Sequence, residues 1–224
     1  PVRAVRAVRP VGEEECVCIS VDADDQLYVT KDFIVTHNSI TLGAGGLLWF
    51  VACWENARAF TVAPREDQLK LNLWKEITQL WPRFQKVFPT AELGKLTLRM
   101  RGGIDDTWAA HGITAQVGSD EDVANRMRGF HAAHQLFVIE EGPGVDDAIW
   151  ETIESTSGGA HNLILGLGNP DSVHDPLHRF CQKSRVTDIR ISCFDYPNVV
   201  CDDPNVIAGA TSREWIEDRT EKWG

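Results

Sequence analysis

The stretch QLFVIEE, at residues 135–141, is an unbroken apolar run that ends in two carboxylates. Because its large apolar side chains succeed one another without alternation, it predicts a strand that is buried on both faces, as in parallel sheets. Similar runs lie at residues 57–64 (ARAFTVAP) and 162–167 (NLILGL). Helical patterns separate these runs, so the sequence predicts an α/β fold with a doubly wound, mainly parallel sheet.

The segments between the strands have helical periodicity. Residues 66–80 place Leu69, Leu73, Ile77 and Leu80 on one face, which predicts an amphipathic helix. The same patterns predict further elements, namely helices at 39–54, 121–128, 145–155, 176–183 and 212–223 and strands around 96–117 and at 189–194.

The composition is that of an ordinary globular chain of 224 residues, with 43% hydrophobic and 25% charged residues. No apolar run approaches the ~18 residues that span a bilayer, and the first residues lack an apolar signal core, so we expect neither a membrane partner nor secretion. The net charge of −11 gives no general attraction for nucleic acid, although an acidic protein can grip DNA through a local patch. The chain starts at Pro1 rather than at methionine and is expected to be a fragment of a longer product.

The sequence pattern changes between Asn38 and Ser39, where a strand-like stretch meets a helical one. An asparagine side-chain amide can attack its own main-chain carbonyl, cyclise and release the polypeptide on its C-terminal side, and the adjacent His37 is placed to polarise that carbonyl. The hydroxyl of Ser39 can then accept an acyl chain. The alternative is a turn in which Asn38 or Ser39 caps the next helix.

The stretch CVCISVDADDQLYVTKDFIVTHN, at residues 16–38, resembles the C-terminal splicing blocks of inteins, which have a small all-β, HINT-type fold. The resemblance covers residues 1–38. It implies that His37 assists cyclisation, that Asn38 cyclises, and that Ser39 is the first residue of the host protein. The first half of an intein is absent from the sequence, so this segment is expected at most to cleave after Asn38, or to splice with a separate intein N-terminal half if the intein is split.

The carboxylates Glu140 and Glu141 close their strand in the pattern of a Walker B motif. In that motif the first acid holds Mg²⁺ through water, and the second polarises the water that attacks ATP. Asn169 comes after the next strand, at an end where doubly wound sheets present residues to a ligand and where an amide can sense the γ-phosphate. The alternatives are an acidic strand end before a Gly-Pro turn, and a tight turn at Asn169.

The phosphate loop that should accompany these residues, GxxxxGK[ST], is absent from the sequence. If Ser39 is the first host residue, it stands directly before a helix, as the serine of a phosphate loop does. Its hydroxyl would then bind Mg²⁺, and the helix N-terminus would face phosphate. This hypothesis requires that the upstream host segment ends in Gly-Lys and that splicing joins it to Ser39.

Residues 39–224 resemble the ATPase domain of phage terminase large subunits, which are P-loop NTPases. The resemblance is carried by TVAPREDQLK (61–70), RGFHAAHQLFVIEEGPGV (128–145), GLGNP (166–170) and ISCFDYPNV (191–199). It implies two domains: an intein segment at residues 1–38, and an ATPase domain at 39–224 that lacks its phosphate-loop Gly-Lys and the nuclease domain of the family.

The same resemblance implies ATP and Mg²⁺ as cofactors, with Ser39 and Glu140 associated with the metal. Glu141 is the implied catalytic residue and Asn169 the implied coupling residue. Glu140 departs from the family pattern, which usually has an aspartate at this position, but it keeps the charge.

An arginine finger is also implied, and Arg128 and Arg126 both stand just before the Walker B strand. Both can equally be surface arginines on a solvated helix. The implied partners are double-stranded DNA, a portal protein, a small terminase subunit and further copies of the chain in a homo-oligomeric ring. The implied location is the cytoplasm of an infected bacterial host. The alternatives for residues 39–224 are another P-loop motor, such as a helicase-like ATPase, and an inactive, degenerate fragment.

Overall fold

The structure, a computed structural model, describes eight ranges of the chain: 28–29, 35–36, 39–102, 107–114, 132–169, 172–189, 193–206 and 211–223. The described residues of Leu27–Asp188 form one compact unit, and those of Ile189–Gly224 belong to a second. Within these ranges, no helix is long and apolar enough to cross a membrane.

The first unit contains a six-stranded sheet. Its strands are β3 (Arg58–Ala63), β4 (Glu92–Leu93), β5 (Thr97–Arg99), β6 (Ala109–Thr114), β7 (Gln135–Ile139) and β8 (Asn162–Gly166), in the spatial order β4-β5-β6-β3-β7-β8. Two shorter strands, β1 (Tyr28–Val29) and β2 (Val35–Thr36), form a separate antiparallel pair.

The centre of the sheet is parallel, as the sequence predicts. Arg58, the first residue of β3, lies opposite Ala109 of β6 on one side and Gln135 of β7 on the other. Gln135 in turn lies opposite Asn162, the first residue of β8. Strands β5 and β4 add to β6 in antiparallel orientation. The carboxyl ends of β3, β6, β7 and β8 therefore meet along one edge of the sheet.

Helices account for most of the remaining described chain. A π-helical segment (Ser39–Gly45) continues into α1 (Gly46–Cys53), and the later helices are α2 (Glu66–Leu71), α3 (Leu73–Val87), α4 (Asp147–Thr156), α5 (Pro176–Cys181), α6 (Pro197–Val200) and α7 (Arg213–Trp223). The starts of two helices are capped: Asp146 accepts a hydrogen bond from the Ala148 amide, and Asp175 accepts one from the His178 amide.

The strand alternation divides the core into two layers. In β3, Ala59 and Ala63 belong to the cluster with α1, α2 and α3, whereas Phe60 and Val62 belong to the cluster with α4. On the first face, the Trp74 indole N–H donates to the Thr61 hydroxyl at 2.8 Å, which satisfies two buried polar groups. Helices cover both faces of the sheet, so the predicted doubly wound arrangement is confirmed in the described residues.

Three predicted elements differ from the structure. The helix at 66–80 is divided at Asn72, whose φ and ψ are −99° and −93°, and its second part continues to Val87. The strand at 162–167 is half-exposed rather than buried, because β8 lies at the edge of the described sheet. In the segment 189–194, Ile189 is not in a strand and Cys193–Asp195 is a 3-10 turn, so the strand prediction is wrong at these residues, and positions 190–192 lie outside the described residues. The helix predicted at 121–128 lies outside the described residues.

Candidate functional site

The loops after three parallel strands are joined at the carboxyl edge of the sheet. The Glu140 amide donates to the carbonyl of Val62 in β3 at 2.8 Å, and the Leu167 amide donates to the carbonyl of Ile139 in β7 at 2.8 Å. The Gly142 amide then donates to the carbonyl of Leu167 at 2.9 Å. This network holds the segments around Glu140 and Leu167 together, at the end of the sheet where doubly wound proteins bind ligands.

The two acidic residues after β7 have different surroundings. Glu140 is buried, with 4% of its surface exposed, whereas Glu141 is exposed. The backbone of Glu141 has φ 51° and ψ 49°, in the left-handed region that costs a non-glycine residue about 1 kcal/mol or more. The turn at Glu141 therefore leaves one carboxyl group in the protein and the other in solvent.

The turn Gly142–Gly144 packs tightly against both neighbouring loops. A Cβ atom on Gly144 would lie 2.9 Å from Cγ of Pro64, the residue after β3. A Cβ atom on Gly168 would lie 2.7 Å from Cδ of Pro143, and Gly168 also has a φ of +153°, which residues with a side chain rarely adopt. Glycines therefore occupy the positions at which the loops after β3, β7 and β8 pack most closely against one another.

The helix that begins at Ser39 starts at this same edge. A Cβ atom on Gly43 would lie 3.5 Å from Cδ1 of Leu167 and 2.6 Å from Cδ1 of Leu73 in α3. At the other end of the helix, the Phe50 ring stacks on His161, directly before β8, with ring centroids 5.6 Å apart. The helix therefore runs antiparallel to the strands, and its N-terminal N–H groups, which favour anions, lie at the Glu140 edge.

The structure brings together four of the predicted site residues in this region. Glu140, Glu141 and the exposed Asn169 come after adjacent strands, and the backbone of Ser39 begins the neighbouring helix. The other predicted site residues, His37, Asn38, Arg126 and Arg128, lie outside the described residues, and their roles stay predictions.

Gln68 is a candidate site residue that sequence reasoning did not assign a role. It lies on α2, just beyond the carboxyl end of β3, and its amide oxygen is shielded from solvent without a hydrogen-bond partner among the described residues. A shielded acceptor without a partner is costly, which makes it available to a donor from a ligand or water. The sequence signal was its place in TVAPREDQLK, three residues after Arg65.

Among the described residues, pKa shifts are found on α2 and in β6. A hydrogen bond from Lys70, together with its charge, lowers the pKa of the partly exposed Glu66 on α2. Burial lowers the pKa of His111 in β6, with smaller contributions from the charges of Arg99 and Arg58. His111 also stacks on the buried Phe60, with ring centroids 6.0 Å apart, and is itself half-buried.

Within the ranges that the structure describes, no three His, Cys, Asp or Glu residues are grouped to hold a metal ion. Magnesium that acts with a nucleotide does not need such a group, because it keeps several waters and takes the remaining oxygens from phosphates and from one or two protein groups. The carboxylate of Glu140 is a hard oxygen ligand of the kind that Mg²⁺ prefers, so this residue fits the ion.

Comparison with known proteins gives a partial match. No family model matches the chain. In an alignment 128 residues long that covers 54% of the chain, the chain is 27% identical to a probable terminase large subunit of Enterobacteria phage P7. The match covers 24% of that protein, so the chain spans about a quarter of the length of this relative.

Two solved structures are also similar. One is the ATPase domain of the large terminase of Thermus phage P74-26, with 16% identity, coverage of 60% of this chain and 56% of that one, and a TM-score of 0.42. The other is the large terminase of a thermophilic bacteriophage, with 11% identity, coverage of 63% and 33%, and a TM-score of 0.46. The chain has a mixed α/β fold with a mostly parallel six-stranded sheet, and it is similar in sequence to the large subunit of a phage terminase.

Proposed function

We propose that residues 39–224 are the larger part of the ATPase domain of a phage terminase large subunit, which hydrolyses ATP to move double-stranded DNA into the phage head. One observation carries the proposal. The acidic turn after β7 and the helix that starts at Ser39 are both packed against Leu167, at the carboxyl edge of a parallel sheet. An acidic strand end beside a helix N-terminus is the arrangement that P-loop NTPases use for phosphoryl transfer.

Each residue at this edge has a role in the proposal. Glu140, which is buried, holds Mg²⁺ together with the Ser39 hydroxyl, and the ion neutralises charge on the phosphates when it is bound. Glu141, which is exposed at the turn, polarises the attacking water. Asn169, exposed after β8, contacts the γ-phosphate and couples hydrolysis to movement. Arg128 or Arg126 supplies the positive charge that stabilises the transition state.

The phosphate loop is completed by protein splicing in this proposal. Residues 1–38 act as the C-terminal part of an intein, His37 and Asn38 release them, and Ser39 becomes joined to an upstream segment that ends in Gly-Lys. The partner for this step is the intein N-terminal half. Until the joining occurs, the chain lacks the glycines and the lysine that cradle phosphates, so we expect little or no ATP hydrolysis from it.

The ligated protein is proposed to act as a homo-oligomeric ring in the cytoplasm of the infected bacterium. Its further partners are the portal protein, through which DNA enters the head, and the small terminase subunit. Support for these partners comes from the similarity to a terminase large subunit, of which the chain spans about a quarter.

The ATPase role can be tested after ligation. The chain is co-expressed with the upstream polypeptide of the same phage, and ATP hydrolysis by the joined product is measured with and without double-stranded DNA. Glu141→Gln should lower kcat by at least about 100-fold, because it removes the general base while keeping the size of the side chain. The matched control is Glu151→Gln, which changes an exposed carboxylate on α4 and should leave kcat unchanged. Full activity of the Glu141 variant would overturn the assignment.

The splicing role has a separate readout. Mass spectrometry of the same co-expression should detect a joined product that lacks residues 1–38. Asn38→Ala should abolish release of that segment, because the side-chain amide that cyclises is gone. Release that persists in this variant would exclude Asn38 as the cyclising residue.

A further inference from the structure

Trp150, on α4, lies against the acidic turn. Its indole N–H donates to the carbonyl of Gly142 at 3.2 Å, and only 4% of its surface is exposed. The ring fills the space beside two glycines. A Cβ atom on Gly142 would lie 3.0 Å from Cζ2 of Trp150, and one on Gly166, the last residue of β8, would lie 3.1 Å from Cη2. Trp150 therefore packs against both the turn after β7 and the end of β8.

The hydrogen bond from Trp150 holds the second backbone group of Gly142. The amide of Gly142 donates to the carbonyl of Leu167 at 2.9 Å, and its carbonyl accepts from the indole. On the other side of Glu141, the amide of Glu140 donates to a carbonyl at the end of β3 at 2.8 Å. Both neighbours of Glu141 are therefore bonded to other parts of the fold.

These bonds account for the backbone of Glu141. Its φ of 51° and ψ of 49° lie in the left-handed region, which glycine, asparagine and aspartate adopt far more readily than glutamate. A residue stays in such a conformation only where the surrounding structure fixes it on both sides, and such residues cluster at functional sites. The strain at Glu141 is therefore imposed by the positions of Glu140 and Gly142.

The indole nitrogen distinguishes Trp150 from a residue that only fills the core. A phenylalanine would supply a flat apolar ring without a donor, whereas a buried tryptophan N–H needs an acceptor. The acceptor here belongs to the residue directly after Glu141. The ring of Phe180, on α5, packs against the indole with centroids 4.9 Å apart and an interplanar angle of 39°. This contact keeps the indole N–H directed at the turn.

We propose that Trp150 is a positioning residue for Glu141. This inference rests on the proposed function, in which Glu141 polarises the water that attacks ATP. By holding the carbonyl of Gly142, Trp150 keeps the Glu141 backbone in its left-handed conformation and so sets the direction in which the carboxylate leaves the turn. A catalytic group displaced by about 1 Å can lose about 100-fold in rate. The indole therefore contributes to hydrolysis without contacting the nucleotide.

A double-mutant cycle tests the contact without ATP. Urea unfolding is measured for the parent chain, Glu141→Gly, Trp150→Phe and the double variant. Glu141→Gly should raise the folding equilibrium constant of the parent by about three- to tenfold, because glycine adopts the left-handed backbone without strain. In the Trp150→Phe background the same change should raise it by at most about twofold, because the turn there is free to relax.

The control for this cycle is Asn56→Gly, at a second residue with a positive φ, of 60°. It precedes β3 and does not belong to the acidic turn, so its effect should be the same in the parent and in Trp150→Phe. Glu141→Gly that stabilises both backgrounds equally, or that does not stabilise the parent, would overturn the proposal.

A milder variant serves if Trp150→Phe does not fold. Phe180→Leu removes the half-buried ring that packs against Trp150, so the indole can tilt and its hydrogen bond to the turn weakens. Glu141→Gly should stabilise this variant at least about twofold less than it stabilises the parent. Phe84→Leu removes a half-buried ring stacked on Trp81, with centroids 5.5 Å apart, and should leave the effect of Glu141→Gly unchanged. An effect in Phe180→Leu equal to that in the parent would contradict the proposal.

The catalytic consequence is measured on the joined, intein-free protein. Trp150→Phe should lower kcat at least about tenfold while the KM for ATP changes by less than about twofold, because the general base is displaced and the phosphate site is not. The matched control is Trp74→Phe, which removes a buried indole donor 2.8 Å from the Thr61 hydroxyl on the opposite face of the sheet and should leave kcat unchanged. An unchanged kcat for Trp150→Phe, or equal losses in the two variants, would refute the positioning role.

The two measurements separate this inference from the proposed function. A joined protein that hydrolyses no ATP would refute the proposed function, and the unfolding cycle would still show whether Trp150 fixes the turn at Glu141. Hydrolysis of ATP by the joined protein, together with equal effects of Glu141→Gly in the two backgrounds, would support the function and refute the role of Trp150.

Discussion

The backbone amide of Leu167 donates to the carbonyl of Ile139 at 2.8 Å, so the loop after β8 is bonded to the last residue before the acidic turn. The Gly142 amide in turn donates to the carbonyl of Leu167. Glu140 and Glu141 therefore lie between two hydrogen bonds that join their turn to the loop after β8. Any change that separates these loops should therefore affect both the stability of the sheet edge and the placement of the two carboxylates.

The first prediction concerns Gly168. Gly168→Ala should lower the free energy of unfolding by about 1–3 kcal/mol, because the residue has a positive φ and a Cβ would contact Pro143. Gly158→Ala is the control, since a Cβ there meets nothing within 4 Å. Urea unfolding of both variants measures the difference. Equal free energies of unfolding for the two variants would show that the loop around Gly168 accommodates a Cβ atom without an energetic cost.

The second prediction concerns the buried hydrogen bond between Trp74 and Thr61. Trp74→Phe should destabilise the fold by about 1–3 kcal/mol, because the Thr61 hydroxyl loses its donor inside the core. Adding Thr61→Val should recover part of that loss, which a double-mutant cycle from thermal unfolding would measure. Trp49→Phe, at a side chain 57% exposed, should have a much smaller effect. Additive losses at Trp74 and Thr61 would contradict the coupling.

The third prediction is a pH dependence of stability. Burial lowers the pKa of His111 below its ordinary value of 6.5, so the unfolded chain takes up a proton that the folded chain resists. The contribution of this residue should be constant well above pH 6.5 and should fall as the pH drops below that value. His111→Gln should flatten this part of the profile, whereas His174→Gln, at an exposed residue, should not. Parallel profiles for His111→Gln and the parent would contradict the prediction.

The fourth prediction separates the two roles proposed for Ser39. Ser39→Ala should abolish splicing with the upstream half, because no nucleophile remains to accept the acyl chain. When the same substitution is placed in an already joined, intein-free protein, ATP hydrolysis should fall because a magnesium ligand is lost. Ser39→Thr keeps a hydroxyl and should retain a large part of both activities. Normal ATP hydrolysis by the joined Ser39→Ala protein would show that the Ser39 hydroxyl is not a magnesium ligand.

Strands β3, β7 and β8 were predictable from sequence because each lies in a largely apolar run. The run at 135–141 is confirmed as β7, and the run at 57–64 contains β3. Periodicity does not determine which strand lies at an edge, so the half-exposed position of β8 had to come from the structure. The break at Asn72 was likewise absent from the pattern, because Leu69 and Leu73 are buried on either side of it.

The candidate site was partly predictable for a related reason. Parallel strands end at one edge, so Glu140, Glu141 and Asn169 could be assigned to a common end of the sheet before the structure was known. The left-handed backbone of Glu141 and the shielded amide of Gln68 depend on packing between loops, which local sequence does not encode. Chemistry at His37, Asn38 and Arg128 stays a prediction, and so does the role of the Ser39 hydroxyl.

The two edge strands of the described sheet, β4 and β8, differ in length and in charge. Strand β4 has only two residues, and Glu92 of that strand forms an ion pair with Arg101. A short, charged strand gives an incoming chain little to pair with. The two edges of the described sheet are therefore unlike: one ends in a short, charged strand, whereas the other ends in a longer, apolar strand next to the acidic turn.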